Sequence, residues 1–185
     1  MMRKMRGSKR QARILVVDNE RSVALSLSEI LVEQGYMVAT AFSGEQAVAM
    51  ALGFDPDLLV SEVFMGAMNG IEAATRITAT LPNCGVLFLS GHASMSEVLS
   101  LAPEHLVFSF TQKPFHLLDF LTVIACMISA VSTADDLAWT AAETAASRLY
   151  AFDEAPAKAG FILAKTGNGI GVHGSPRWTL ESAFS

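Results

Sequence analysis

Five short apolar runs, at residues 14–17, 37–41, 58–60, 86–89 and 107–110, are separated by stretches whose apolar residues recur at helical spacing. The runs are continuous rather than alternating in polarity, the pattern of parallel strands covered on both faces. Between them, Val23, Leu27, Ile30 and Leu31 share one helical face, as do Ala47, Val48, Ala51 and Leu52, and likewise Ile71, Ala74, Ile77 and Leu81. Ser43 with Gln46, and Ser94 with Glu97, have capping-box spacing, and Gly35, the Gly-Phe-Asp-Pro of 53–56 and the Leu-Pro-Asn of 81–83 supply stops and turns. Strand–helix alternation with short links predicts an α/β fold, a doubly wound five-stranded parallel sheet.

This pattern divides the chain into four parts: a basic N-terminal arm (1–11), the alternating domain (12–130), an alanine-rich helical extension (131–152) and a poorly ordered tail (153–185). With 51% hydrophobic and 17% charged residues, the chain has enough apolar surface for a sizeable core. Its longest apolar stretch, 115–131, is interrupted by His116 and Asp119 and falls short of the roughly 20 residues a spanning helix needs. The basic N-terminus lacks the apolar run of a secretory signal. Cys84 and Cys126 lie in apolar runs and read as core thiols of a cytoplasmic protein rather than a disulfide. Arg3, Lys4, Arg6, Lys9, Arg10 and Arg13 gather almost half of the 13 basic residues at the start, so the body is more acidic than the net charge of −5 indicates. Such an arm is a candidate contact for nucleic acid, although short basic leaders are more often solvated tails.

Open parallel sheets bind ligands at the carboxyl ends of their strands. Asp18, Glu62, Ser90 and Lys113 all fall there. The four histidines have no metal-ligand spacing, and no Ser/His/Asp or Cys/His set suggests hydrolysis. Gly169, Gly171 and Gly174 spell the dinucleotide fingerprint, but too few residues follow for the helix and second strand it requires, so no cofactor site is expected there.

Residues Ile14-Leu15-Val16-Val17-Asp18-Asn19-Glu20 resemble the first strand and acidic pocket of a response-regulator receiver domain. Pro56-Asp57-Leu58-Leu59-Val60-Ser61-Glu62, followed by Met65-Gly66-Ala67-Met68-Asn69-Gly70, resembles its third strand and loop. Leu87-Phe88-Leu89-Ser90-Gly91 resembles the fourth strand with its hydroxyl residue, and Phe110-Thr111-Gln112-Lys113-Pro114-Phe115 the fifth with its Lys-Pro step. The match extends from about Ala12 to Ser129 in the family's order. The resemblance, not the periodicity, implies the flavodoxin-like strand order 2-1-3-4-5 and a cis Lys-Pro bond.

In this family an aspartate accepts a phosphoryl group while Mg2+, a lysine and a hydroxyl stabilise the charge on the transferring oxygens. Carried over residue by residue, Asp18 is the outer acid, Asn19 stands at the direct metal-binding carboxylate, Glu62 at the acceptor, Phe64 offers a backbone carbonyl, Ser90 the hydroxyl and Lys113 the cation. Two of three carboxylate positions are therefore altered. Asn19 removes a negative charge, and Glu62 moves the nucleophilic oxygen outward by roughly 1 Å, a misplacement that can cost about a hundredfold in rate. Metal binding through Asp18, Asn19, Glu62 and the Phe64 carbonyl is expected to be weak or absent. Glu62 has three readings: ion-pair partner of Lys113, mimic of the phosphorylated state, or residual acceptor. Asp57 is a poor substitute acceptor because it begins the third strand, at the wrong end of the sheet.

Phe110 stands at the family's aromatic switch position, with an ordinary core aromatic as the plainer reading, and Pro114 follows the lysine. In the fifth helix Phe115, Leu118, Leu121, Thr122, Ala125 and Ile128 are expected to cover the sheet. Phe120, Val123, Ile124, Met127 and Val131 then fall on the other sides, making Phe120, Val123 and Met127 candidate interface residues, covered either by a second copy in a homodimer or by the alanine-rich segment 133–152 folded back. The resulting expectation is a non-enzymatic, stand-alone receiver (a pseudo-receiver) in two-component phosphorelay signalling, contacting a histidine kinase or a downstream regulator. A receiver with residual phosphoryl acceptance and a nucleic-acid-associated protein using the arm are the alternatives.

Overall fold

The computed structural model describes residues 10–132, 161–166 and 169–172. Its elements alternate as β1 (Arg13–Val17), α1 (Arg21–Glu33), β2 (Met37–Ala41), α2 (Gly44–Phe54), β3 (Leu58–Glu62), α3 (Gly70–Thr80), β4 (Gly85–Ser90), α4 (Met95–Leu101), β5 (Val107–Gln112) and α5 (Leu117–Ser132), followed by β6 (Phe161–Thr166) and β7 (Gly169–Val172). The sheet order is β2-β1-β3-β4-β5-β6-β7, with β1 to β5 parallel, as the alternation and the resemblance imply. Among the described residues no helix is long and apolar enough to cross a membrane.

Period-two alternation along the buried strands feeds two cores. Leu15, Val17, Leu59, Val86, Phe88 and Phe108 pack with Ala47, Ile71, Ala74, Ile77 and Val98 on the side of α2, α3 and α4. Ile14, Val16, Leu58, Val60, Leu87 and Leu89 pack with Leu27, Leu31, Phe120, Ile124 and Met127 on the side of α1 and α5. The helix starts follow their side chains. Ser94 and Glu97 make the full reciprocal capping box on α4. Ser43 accepts from the Gln46 amide at the start of α2, and Asn69 from the Glu72 amide at the start of α3.

The face of α5 differs from expectation. Phe120 and Ile124 are fully buried and Met127 nearly so, whereas Leu118 is 76% exposed and Ala125 lies at the surface. The i, i+4, i+7 row of Phe120, Ile124 and Met127 meets the sheet, with Phe115, Leu121, Val123 and Ile128 half-buried around it. Phe120 and Met127 are therefore core residues rather than a free interface, and the exposed large apolar residues of the helix are instead Leu117 and Leu118 at its start.

The end of the chain also differs. Within the part expected to be poorly ordered, β6 adds antiparallel to β5 and β7 adds antiparallel to β6. Two apolar runs, Phe-Ile-Leu-Ala from residue 161 and Gly-Ile-Gly-Val from 169, stand either side of a Gly167-Asn168 link. That spacing is a hairpin signal, obscured by the glycines of the second run. Because Gly169–Val172 is a strand, the Gly169/Gly171 pair does not open a dinucleotide-binding helix. The expected helical extension beyond Ser132 lies outside the described residues.

Candidate functional site

The parallel register brings the ends of β1, β3, β4 and β5 to one rim: Val17 pairs with Ser61, Glu62 with Leu89, and Ser90 with Gln112. Asp18 follows β1, Glu62 ends β3, Ser90 ends β4 and Lys113 follows β5, so the four residues chosen from the sequence do converge. Asp57, by contrast, lies at the opposite end of β3. There its carboxylate accepts from the Arg13 amide at 2.8 Å and pairs with the Arg10 guanidinium.

Lys113 bridges the two acids. Its Nζ lies 2.6 Å from Asp18 Oδ2 and 2.9 Å from Glu62 Oε2, with both carboxylates buried. The remaining oxygens are held by the backbone: the Glu20 amide donates to Asp18 Oδ1 and the Val63 amide to Glu62 Oε1, each at 2.8 Å. All four carboxylate oxygens thus have a donor, which offsets the cost of burying charge.

Electrostatics follow from this geometry. Burial pushes the Glu62 carboxyl up, but the Ser90 hydroxyl, the Lys113 ammonium and the Val63 amide together outweigh it and hold Glu62 below its ordinary value. Burial pulls Lys113 down, yet its bonds to Asp18 and Glu62 hold it above its ordinary value. Glu62 and Lys113 are therefore both ionised at neutral pH. Ser90 Oγ accepts from the amides of His92, at 3.3 Å, and Ala93, at 3.0 Å, which fixes its side chain beside Glu62.

Gly70 is a site residue that the sequence reading did not single out. Its amide donates to Val63 O at 2.8 Å and closes the loop after β3. A β-carbon there would sit 2.0 Å from Glu62 O and 2.7 Å from Ser61 Oγ, so only glycine lets α3 start against the end of β3. The sequence showed the glycine after Asn69 but gave no sign of this close approach.

The other candidates are spread more widely. Asn19 is exposed and Phe64 is 43% exposed at the rim. Phe110 points inward into the α2–α3–α4 core. The Lys113-Pro114 bond is cis, and Pro114 itself is exposed. A divalent cation of the Mg2+ type needs oxygen ligands that concentrate negative charge. Here Lys113 occupies both carboxylates and Asn19 adds no charge. Among the described residues no group of three His, Cys, Asp or Glu could hold a metal. The donors present therefore do not fit that ion.

Residues 14–125 match the response regulator receiver domain family. The chain belongs to the response-regulator receiver family. It is 32% identical over 124 residues to the response regulator MprA of Mycobacterium ulcerans (strain Agy99), a match covering 67% of this chain and 53% of that relative. The receiver thus spans about half the length of the curated relatives it matches. Among solved structures, the non-phosphorylated HemR receiver domain from Leptospira biflexa is 28% identical, with a TM-score of 0.56, over 64% of this chain and 95% of that one. A CheY-like receiver domain protein from Methanospirillum hungatei JF-1 shares the fold, with a TM-score of 0.61 at 21% identity, over 68% of this chain and all of that one. The family is one of two-component signalling proteins rather than enzymes.

Proposed function

We propose that this receiver is phosphorylation-impaired and signals in the cytoplasm through contacts with a histidine kinase or a downstream regulator. The observation that carries the reading is the Lys113 bridge between Asp18 and Glu62, 2.6 and 2.9 Å long. A carboxylate tied by an ammonium and a backbone amide is a poor nucleophile, and the extra methylene of Glu62 shifts it from the acceptor position of the family. Asn19 weakens the charge that would attract a metal.

The same contacts support the ion-pair role of Glu62 over mimicry of a phosphoryl group. Both Glu62 carboxylate oxygens are taken up in the resting pocket, one by Lys113 at 2.9 Å and one by the Val63 amide at 2.8 Å, with the Ser90 hydroxyl beside them. A nucleic-acid role has less support: Arg10 is paired with Asp57, and residues 1–9 lie outside the described residues.

Incubation of the full chain with a small-molecule phosphodonor and Mg2+, followed by intact-mass measurement, tests the proposal. The expected result is an unchanged mass. A stoichiometric, alkali-labile phosphate adduct overturns it.

A further inference from the structure

In a parallel sheet of order 2-1-3-4-5, β5 is an edge, and an edge presents unpaired amides and carbonyls to any extended segment that fits. Here the edge is occupied. β6 pairs antiparallel with β5, setting Val107 against Ala164, Phe108 against Leu163, Ser109 against Ile162 and Phe110 against Phe161.

The backbone shows which groups the cover satisfies. The Lys113 amide donates to Ser90 O, on the β4 side. Strand alternation from that point turns the amides of Phe108 and Phe110 the other way, towards β6. Phe108 with Leu163 and Phe110 with Phe161 are then the hydrogen-bonded pairs of the antiparallel ladder. On its far side β6 is bound by β7, with Ala164 against Gly171 and Thr166 against Gly169.

Three features make this cover separable from the domain. β5 has anchorage of its own: it is held by β4 along its inner side, and Phe108 and Phe110 belong to the core formed with residues of β4, α3 and α4. The hairpin touches the parallel sheet through β5 alone in the strand order. A two-stranded hairpin is marginal in water without a third strand, so one that leaves β5 loses its own order as well. Docked and released forms are then two discrete states, and a segment with a competing claim on the edge converts one into the other.

We propose that the β5 edge is a strand-docking site whose resident occupant is this chain's own segment 161–172, a cover that leaves without unfolding the domain. This does not depend on the state of the Asp18–Glu62–Lys113 triad.

Residue-resolved amide hydrogen exchange on the full chain tests it, with Leu163→Pro as the variant. That substitution deletes the amide facing Phe108 and leaves the amides facing β7 in place. In the unaltered chain the Phe108 and Phe110 amides should be protected, independently of protein concentration. In Leu163→Pro they should exchange about tenfold faster or more, while Leu15 in β1 and Leu59 in β3 keep their rates. Unprotected Phe108 and Phe110 amides in the unaltered chain, or unchanged rates in the variant, overturn the site. Parallel acceleration at Leu15 and Leu59 overturns the separable cover and makes the hairpin part of the cooperative fold. Protection that rises with protein concentration, together with a dimer by light scattering, assigns the occupant to a second copy and overturns the assignment to the chain's own tail.

Discussion

Lys113 Nζ lies 2.9 Å from Glu62 Oε2, and this bond joins the two strand ends that flank β4. Removing the cation leaves Asp18 and Glu62 buried beside each other with like charge. Lys113→Met is expected to destabilise the domain by about 2–4 kcal/mol, the range for deleting one partner of a buried pair with some allowance for the partial exposure of the lysine. Urea denaturation at neutral pH measures it. Adding Glu62→Gln to Lys113→Met should recover part of the loss, because it removes the repulsion. A double variant no more stable than Lys113→Met alone would show that the two acids do not interact.

The pH dependence follows from the same bond. Glu62 titrates below its ordinary 4.5 in the folded chain, so its contribution is present above about pH 4.5 and lost as pH falls through the lower folded value. Lys113 titrates above its ordinary 10.5, so its contribution is complete below that pH and lost as pH rises through the higher folded value. Stability measured across the acid range should therefore fall less steeply below pH 4.5 in Glu62→Gln than in the unaltered chain. Identical acid limbs would remove Glu62 from the linkage.

Two glycines should respond in opposite senses to alanine. At Gly70 the new β-carbon meets backbone at 2.0 Å, which only a shift of α3 or of the β3 end relieves. Gly70→Ala is expected to cost about 2 kcal/mol or more and to displace Glu62 from Lys113. Gly53, in α2, has nothing within 4 Å of its β-position. Gly53→Ala should stabilise by roughly 0.5–1 kcal/mol through the unfolded state and helix propensity. Thermal melts of both variants check the contrast.

Helix α5 gives a fourth test and marks where the sequence ceased to be readable. Phe120→Ala should cost about 3–5 kcal/mol, whereas Leu118→Ala, at a position 76% exposed, should stay within about 0.5 kcal/mol. The sequence suggested the reverse assignment because α5 is apolar nearly all round, so more than one stripe at helical spacing could face the sheet. In the fold Phe120, Ile124 and Met127 take the buried face, and Phe115 stacks on Phe120 with centroids 5.2 Å apart. The five parallel strands were legible because each is a continuous apolar run with turn residues beside it. The convergence of Asp18, Glu62, Ser90 and Lys113 was legible because strand ends in such a sheet share a rim. Their bonding was not: which oxygen meets Nζ depends on side-chain geometry that no periodicity encodes. Nor was the role of Gly70, which is a distance rather than a pattern. The β6–β7 hairpin was hidden by Gly169 and Gly171, which dilute the apolar signal of the second strand.

Substitution in the acidic pocket separates the two residues, Asn19 and Glu62, on which the proposed impairment rests. Glu62→Asp shortens the side chain, draws its oxygen back by roughly 1 Å and lengthens its reach to Lys113. Asn19→Asp places a third carboxylate at the rim, where the native residue is exposed and uncharged. Under the proposal each alone addresses one part of the impairment: the first the position of the nucleophile, the second the charge that draws in a metal. Neither single variant is expected to form a phosphate adduct with a small-molecule phosphodonor and Mg2+, and the double variant is expected to form one, read by intact mass and its loss in alkali. Labelling of Asn19→Asp alone would mean that Glu62 accepts the phosphoryl group once charge is restored, and that its length is no barrier. A folded double variant that stays unlabelled would place the defect in the hold of Lys113 on Asp18, 2.6 Å long and untouched by either change.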